Sequence, residues 1–427
     1  MPWRVVMDVS LSRCQRGTDG CHAGRVDPMI DVDLVRRDLA QLVSYASVGG
    51  SESEVAVQRW CAATMQGLGL DVDLWRLDLD ELRADPDYPG EEVDREEAWG
   101  CVGVSGEGTP ALILNGHVDV VPPGEHEWWT GADPWDLHEV DGTWYGRGVC
   151  DMKGGVVAIL AAVRAVGDRL ERPFAVHTVI GEEDGGIGTF GTLRRGHTGD
   201  ACLIAEPTAG EIVSANAGAL TFRLELRGLA THGSLAGLGV STVDLLESVR
   251  ASLRRLDEKR NAAPPAPFRE RPFPISTGIV NAGDWASTVP DYLVAEGRYG
   301  VRPGESFAEA MAEFEQAVRD ADDPWLREHP VEVSWPGGRF AAGSLPDGHP
   351  FGDEVASAVE TSGGGRPGLI GAPYGSDLRQ YAAAGIPTVQ FGPGTILQGH
   401  SIDESVPIDD VVRCAETYAA LLVSRCG

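Results

Sequence analysis

Residues 174–186 read FAVHTVIGEEDGG. A short apolar run rich in β-branched residues stops at three acids, Glu182, Glu183 and Asp184, and two glycines follow. Such a run suits a strand buried on both faces, as in a parallel sheet covered by helices. Three further runs stop in the same manner, at a residue able to bind a metal. PALILNGH (110–117) ends on His117, ACLIAEP (201–207) on Glu206, and IPTVQFGPG (386–394) is followed by His400. In open sheets of this kind the functional site lies beyond the carboxyl ends of the strands. The polar residues are therefore expected along one edge of one sheet.

Helical patterns surround these runs. From Asp31 the apolar positions Val32, Val35, Leu39, Leu42 and Val43 recur at helical spacing, and SEVAVQRWCAATMQGLGL repeats the signal until Gly69. DMKGGVVAILAAVRAVGD, from Asp151, predicts a core-packing helix ending near Gly167. DVDLWRLD reads as a strand, and ELRADPDYPGEEVDREEAW after it as an acidic surface excursion.

Between about residues 215 and 335 the rhythm changes to strand, helix, strand, strand, helix, strand, the order of a ferredoxin-like unit. The expected fold is α/β: a mostly parallel-sheet catalytic domain with an inserted ferredoxin-like (βαββαβ) lid or dimerisation domain. The catalytic, metal-binding domain spans 29–214 and 337–427, and the insert spans 215–336. Residues 1–28 are expected to be a disordered lead, with Met29 an alternative start. A chain of 427 residues is long enough for two such domains.

Composition excludes several functions. The formal charge is −30, from 65 acids against 35 bases, which repels nucleic acid and anionic membrane surfaces. The 8 cysteines form no CxxC pair, so a reducing compartment is expected, and Cys14, Cys21 and His22 in the lead receive no metal role. The start lacks the apolar core of a signal peptide, and no uncharged apolar run reaches about 18 residues. A cytoplasmic protein follows.

A Glu-Glu pair alone is common on solvated surfaces. Here His117, Asp119, Asp151, Glu182, Glu183, Glu206 and His400 all fall at expected strand-to-loop junctions. Imidazole with carboxylate is the ligand set of zinc and similar ions. Two histidines and three carboxylates exceed the roughly three protein ligands of a single catalytic zinc. They suit two metals sharing one carboxylate.

GHVDVVPPG, YGRGVCDMKGG, GEEDGG, AEPT and a late Gly-His follow one another in this order. The series resembles the co-catalytic zinc amidohydrolases, the family of acetylornithine deacetylase, succinyl-diaminopimelate desuccinylase, aminoacylase and glutamate carboxypeptidase. The resemblance runs from about residue 30 to the C-terminus. It implies two divalent metals, zinc by default with cobalt or manganese as alternatives. One is held by His117 and Glu206, the other by Glu183 and His400, and Asp151 bridges them. Glu182 becomes the general base, and Asp119 accepts a hydrogen bond from the second imidazole nitrogen of His117. Asp184 has no matched role and reads as surface or loop-capping.

In the insert, His232 of RGLATHGS resembles the histidine that polarises the scissile carbonyl, often in a partner's active site, which implies a homodimer through the inserted domain. Arg298 of GRYGVRPGE resembles the arginine that binds a substrate carboxylate, with Arg302 competing for that role. Where many relatives have Asn before Val-Pro, this chain has ASTVPD, with Ser287. Gly375 and Ser376 either offer N–H groups to an anionic substrate end or form a turn before a helix. His126, His138, His177, His197, His329 and His349 receive no site role. The expected activity is hydrolysis of the amide of a small N-acyl amino acid; the alternative is a dipeptidase or carboxypeptidase of the same fold.

Overall fold

The structure, a computed structural model, describes residues 30–131 and 133–427. The expected disordered lead, with Cys14, Cys21 and His22, lies outside the described residues.

The four expected buried strands form the centre of a nine-stranded sheet. Phe174–Val179, Leu112–His117, Cys202–Ile204 and Thr388–Gln390 lie side by side and parallel, every residue of them buried. The flanks turn antiparallel: Trp99–Val104 joins Phe174–Val179 on one side and pairs with Asp71–Arg76, while Ile212–Asn216 follows Thr388–Gln390 on the other. The Trp99–Val104 strand escapes the periodicity argument because Gly100 and Gly103 interrupt its apolar pattern. A Cβ at Gly100 would stand 2.1 Å from the Trp75 ring, so the glycine makes room for that indole.

The helix Lys153–Val166 is buried on nearly every face because it is enclosed by other elements. It packs against Val32–Ser44 and Ile408–Cys426. Its N-terminal end is tied to the first helix by Lys153 Nζ, which donates to Tyr45 O at 2.9 Å; its far end is tied by Arg164 to Asp38 at 2.6 Å. The two helices therefore run antiparallel. Gly155 lets this helix approach the sheet, since a Cβ there would lie 2.2 Å from Ala205 O.

The chain leaves the large sheet at Asn216 and enters a second, antiparallel sheet at Gly218. Its order is Ile275–Ala282, Tyr292–Val301, Gly218–Arg227, Glu332–Ser334, with the helices Thr242–Asn261 and Phe307–Arg319 packed on it. Second, third, first and fourth strands in that order give the ferredoxin-like arrangement. Arg339–Phe340 still pairs with Gly218–Arg227, and Gly343–Ser344 returns to the large sheet. Each sheet has its own apolar core; in the small one Phe314 packs on Phe222 and Tyr299 at centroid separations of 4.7 and 5.0 Å. Ser306 and Glu309 cap the Phe307–Arg319 helix reciprocally.

Among the described residues no helix is long and apolar enough to cross a membrane. The six described cysteines are free and buried.

Candidate metal centre

The carboxyl ends of the parallel strands bring the expected residues together. His117 is the last residue of its strand and lies beside Val179 of the next. The Phe174–Val179 strand ends earlier than its sequence suggests, so Glu182 and Glu183 occupy a turn beyond it. That turn needs glycine: Gly181 and Gly186 have φ of +67° and +82°, in the left-handed region where a Cβ is strained. Gly185 fits because a Cβ would lie 2.1 Å from Gly90 O. Glu206 follows the Cys202–Ile204 strand, and His400 arrives from beyond Thr388–Gln390 with φ of +61°.

Asp151 stands between the two histidines. Its Oδ1 lies 3.1 Å from His117 Nε2 and its Oδ2 3.5 Å from His400 Nε2. His117 Nε2 is 3.8 Å from Glu206 Oε1, and His400 Nε2 is 2.8 Å from Glu183 Oε2. Ligand atoms of His117, Glu182 and Glu206 all lie within 4.8 Å of one another, as do those of His117, Asp151 and Glu183. The first set puts Glu182 within reach of whatever His117 and Glu206 hold.

The electrostatics fit divalent cations. Burial, then the charges of Glu206 and Asp377, pushes the Glu182 carboxyl well above its usual range. Burial and then Asp151 push Glu183 up to about 7, against the pull of His400. Burial also raises Glu206, helped by Asp151 and Glu183 and opposed by His117. For Asp151 burial is outweighed by the hydrogen bond and charge of His117, and its carboxyl is lowered. Among the described residues the ion-pair partners of Asp151, Glu183 and Glu206 are histidines alone. Glu183 Oε1 is buried without any hydrogen-bond partner. Carboxylates packed this closely away from water are costly unless cations neutralise them.

The surrounding residues correct three expectations. Asp119 is buried behind His117, but His117 Nδ1 is closer to the Asp119 backbone O, at 3.0 Å, than to the carboxylate, at 3.6 Å. The carboxylate instead accepts from Glu183 N at 3.2 Å, fixing the turn that carries Glu183. Asp184 is not on the surface: it forms a two-pronged pair with Arg95, at 2.6 and 2.7 Å, and Arg95 also bonds Glu54. The acidic excursion supplies Arg95, so it is in part a strap across the Glu182–Gly186 turn rather than only surface.

Glu404 escaped sequence reasoning. It is fully buried and accepts from the backbone N–H groups of Gly148, Cys150 and Asp151 at 2.8–2.9 Å and from Arg147 Nη1 at 2.7 Å. Four donors to one carboxylate hold the Asp151 loop in place. Its position four residues after His400, in HSIDES, was the available signal.

A cavity of about 450 Å³ opens over the cluster, and its far wall is the small sheet. Arg298 and Thr221, register partners in that sheet, both line it. Arg298 is half-buried, its Nε has no partner, and Nη2 only grazes Pro373 O at 3.5 Å. Burial pushes its pKa down against the charge of Glu92 on the same cavity wall. Arg302 does not line the cavity; its backbone N–H donates to Glu305. Ser376 faces the cavity, but its hydroxyl accepts from Leu378 N and Gln390 Nε2. Glu92 and Tyr374, unassigned in the sequence, also line it. His232 does not: it is exposed on the small domain, 2.7 Å from Ser234 Oγ. Ser287 braces that loop by accepting from Gly233 N at 2.6 Å.

Residues 113–424 match the model of peptidase family M20/M25/M40. The chain belongs to this family. Among curated relatives it is 26% identical, over 90% of its length and 93% of the relative's, to N-formyl-4-amino-5-aminomethyl-2-methylpyrimidine deformylase of Bacillus subtilis. It is 30% identical, over 77% and 86%, to succinyl-diaminopimelate desuccinylase of Methylorubrum extorquens. A tripeptidase structure from Staphylococcus aureus shares the fold, with a TM-score of 0.70 at 19% identity over 92% of this chain and 98% of that one. As an M20/M25/M40 member the protein is a hydrolase of amide bonds, and the family is metal-dependent.

Proposed function

We propose that the protein cleaves the amide bond of a small N-acyl amino acid, releasing a carboxylate and an amine, with two divalent metals in the His117–His400 cluster. The observation that carries this reading is the placing of the Asp151 oxygens, one toward each histidine, with Glu206 and Glu183 outside them. His117 and Glu206 would hold one ion and Glu183 and His400 the other, with Asp151 available to both. Zinc is the first expectation from the donor chemistry, cobalt or manganese the alternatives. Bound there, the ions lower the pKa of a water and polarise the substrate carbonyl.

The chain's own groups do the rest. Glu182 accepts the water's proton and returns it to the leaving nitrogen. Asp119 fixes the Glu183 turn, and Arg298 pairs with the substrate carboxylate across the cavity. His232 serves the cavity of a second copy, in a homodimer joined through the inserted domain, with the domains dividing near 29–214 plus 337–427 and 215–336, except that Ala215 and Asn216 still pair in the large sheet and Arg339–Phe340 in the small one. Scattered free cysteines and the strongly acidic composition favour a cytoplasmic setting without nucleic-acid or membrane partners. The exposed Glu92 carboxylate on the cavity wall favours one second reading, a dipeptide whose free ammonium pairs with it.

The test is the metal-to-protein ratio of purified protein, with hydrolysis of N-acetyl, N-succinyl and N-formyl amino acids and dipeptides, with and without added zinc or cobalt. About two metals and turnover of one acyl class are expected. Turnover of dipeptides alone selects the second reading. Protein that takes up no metal and turns over nothing overturns both.

A further inference from the structure

Hydrolysis through a tetrahedral carbon builds negative charge on the former carbonyl oxygen, and a donor aimed at that oxygen accelerates the step most when nothing else occupies it. Most of the charged side chains facing the cluster, Asp151, Glu182, Glu183 and Glu206, are acceptors. Among lining side chains of the described residues the donors are few. Arg298 and Thr221 stand on the far wall, His400 is engaged with Glu183, and Ser376, whose hydroxyl oxygen accepts from Gln390 Nε2 and Leu378 N, is only 1% exposed and so has little access to the cavity. Tyr374 remains.

The Tyr374 ring is half-buried in the wall, and its hydroxyl makes no hydrogen bond within the described residues. Its surroundings are those of the reacting centre: Tyr374 lines the same cavity as Asp151, Glu182, Glu183, Glu206 and His400. An uncommitted phenol on the wall shared with the proposed base and ligands has a task open to it.

We propose that Tyr374 is a catalytic residue whose phenol O–H donates a hydrogen bond to the scissile carbonyl oxygen as it becomes an alkoxide. When the water oxygen bonds to the carbonyl carbon, the π pair moves onto that oxygen and the phenol stabilises it without giving up its proton. When the C–N bond breaks, the pair returns to rebuild the carbonyl and the nitrogen takes the proton that Glu182 had accepted. The donor comes from the same chain as the metal ligands, whereas His232 lies outside its own cavity. The inference rests on the amide-hydrolase reading above.

The test is Y374F, which removes one oxygen and keeps the ring. Metal content, kcat and KM are measured with the best substrate of the panel, and binding of its methylphosphonamidate analogue and of its carboxylate product by calorimetry. Removing the donor is expected to lower kcat by about 10²- to 10³-fold. KM, metal content and product affinity stay as in the wild type, while the tetrahedral analogue binds more weakly by a similar factor. An unchanged kcat, a loss confined to KM, or a lowered metal content each overturns the proposal, the last by making Tyr374 a positioning residue. A wild-type protein with no turnover overturns the underlying reading instead. Active wild type beside unimpaired Y374F overturns this inference alone.

Discussion

Glu182 and Glu183 are neighbours in sequence with different surroundings. Glu183 is hydrogen-bonded to His400, whereas no hydrogen bond within the described residues fixes the Glu182 side chain beside His117 and Glu206. That freedom suits a group that moves a proton. E182Q is therefore expected to lower kcat by about 10²- to 10⁴-fold with the metal-to-protein ratio unchanged, as read by metal analysis and steady-state kinetics. Metal lost along with activity would make Glu182 a ligand, and retained turnover would remove it from the mechanism.

At the scale of elements, the strand ends were legible because apolar runs that stop at His117, Glu182 and Glu206 carry their own punctuation. The braces around them were not. Arg95 reaches Asp184 and Glu54 across 89 and 41 residues of sequence, and Glu404 reaches Asp151 across 253, distances over which no local periodicity speaks. Charge alone made Asp184 look like surface, because the buried arginine that neutralises it lies in an excursion rich in exposed acids. The pairing of Trp99–Val104 was hidden for a related reason, Gly100 answering a tryptophan on another strand and Gly103 the side chains of Met65 and Leu70. R95M tests the strap. It leaves Glu54 and Asp184 buried without their cation, and a loss of about 3–5 kcal/mol is expected in urea unfolding, together with weaker metal retention. A loss below about 1 kcal/mol, the range of a surface pair, would show that the strap is not holding the turn.

Across the whole molecule, the small domain exposes apolar side chains that a folded monomer has no reason to keep at its surface. Trp285 is 73% exposed and Leu238 72%, and Ile279 lies half exposed on Ile275–Ala282, the edge strand of the small sheet. An uncovered edge with apolar side chains invites another chain. Light scattering on the purified protein is expected to give twice the 45.4 kDa chain mass, and a W285D/I279K variant the single mass with its metal content intact. Wild type that runs as one chain at micromolar concentration would remove the homodimer.

The contact between His400 and Glu183 joins residues 217 apart, and the whole small domain lies between them. During synthesis the first four proposed ligand positions, His117, Asp151, Glu183 and Glu206, are thus complete long before the fifth exists. Until translation has passed the insert and reached His400 and Glu404, the nascent chain carries a nest of carboxylates with one histidine missing and the Asp151 loop unclamped. On the proposed two-metal reading, loading is therefore expected to be a late event in the life of each molecule, and a chain arrested within the insert is left with acids it cannot neutralise.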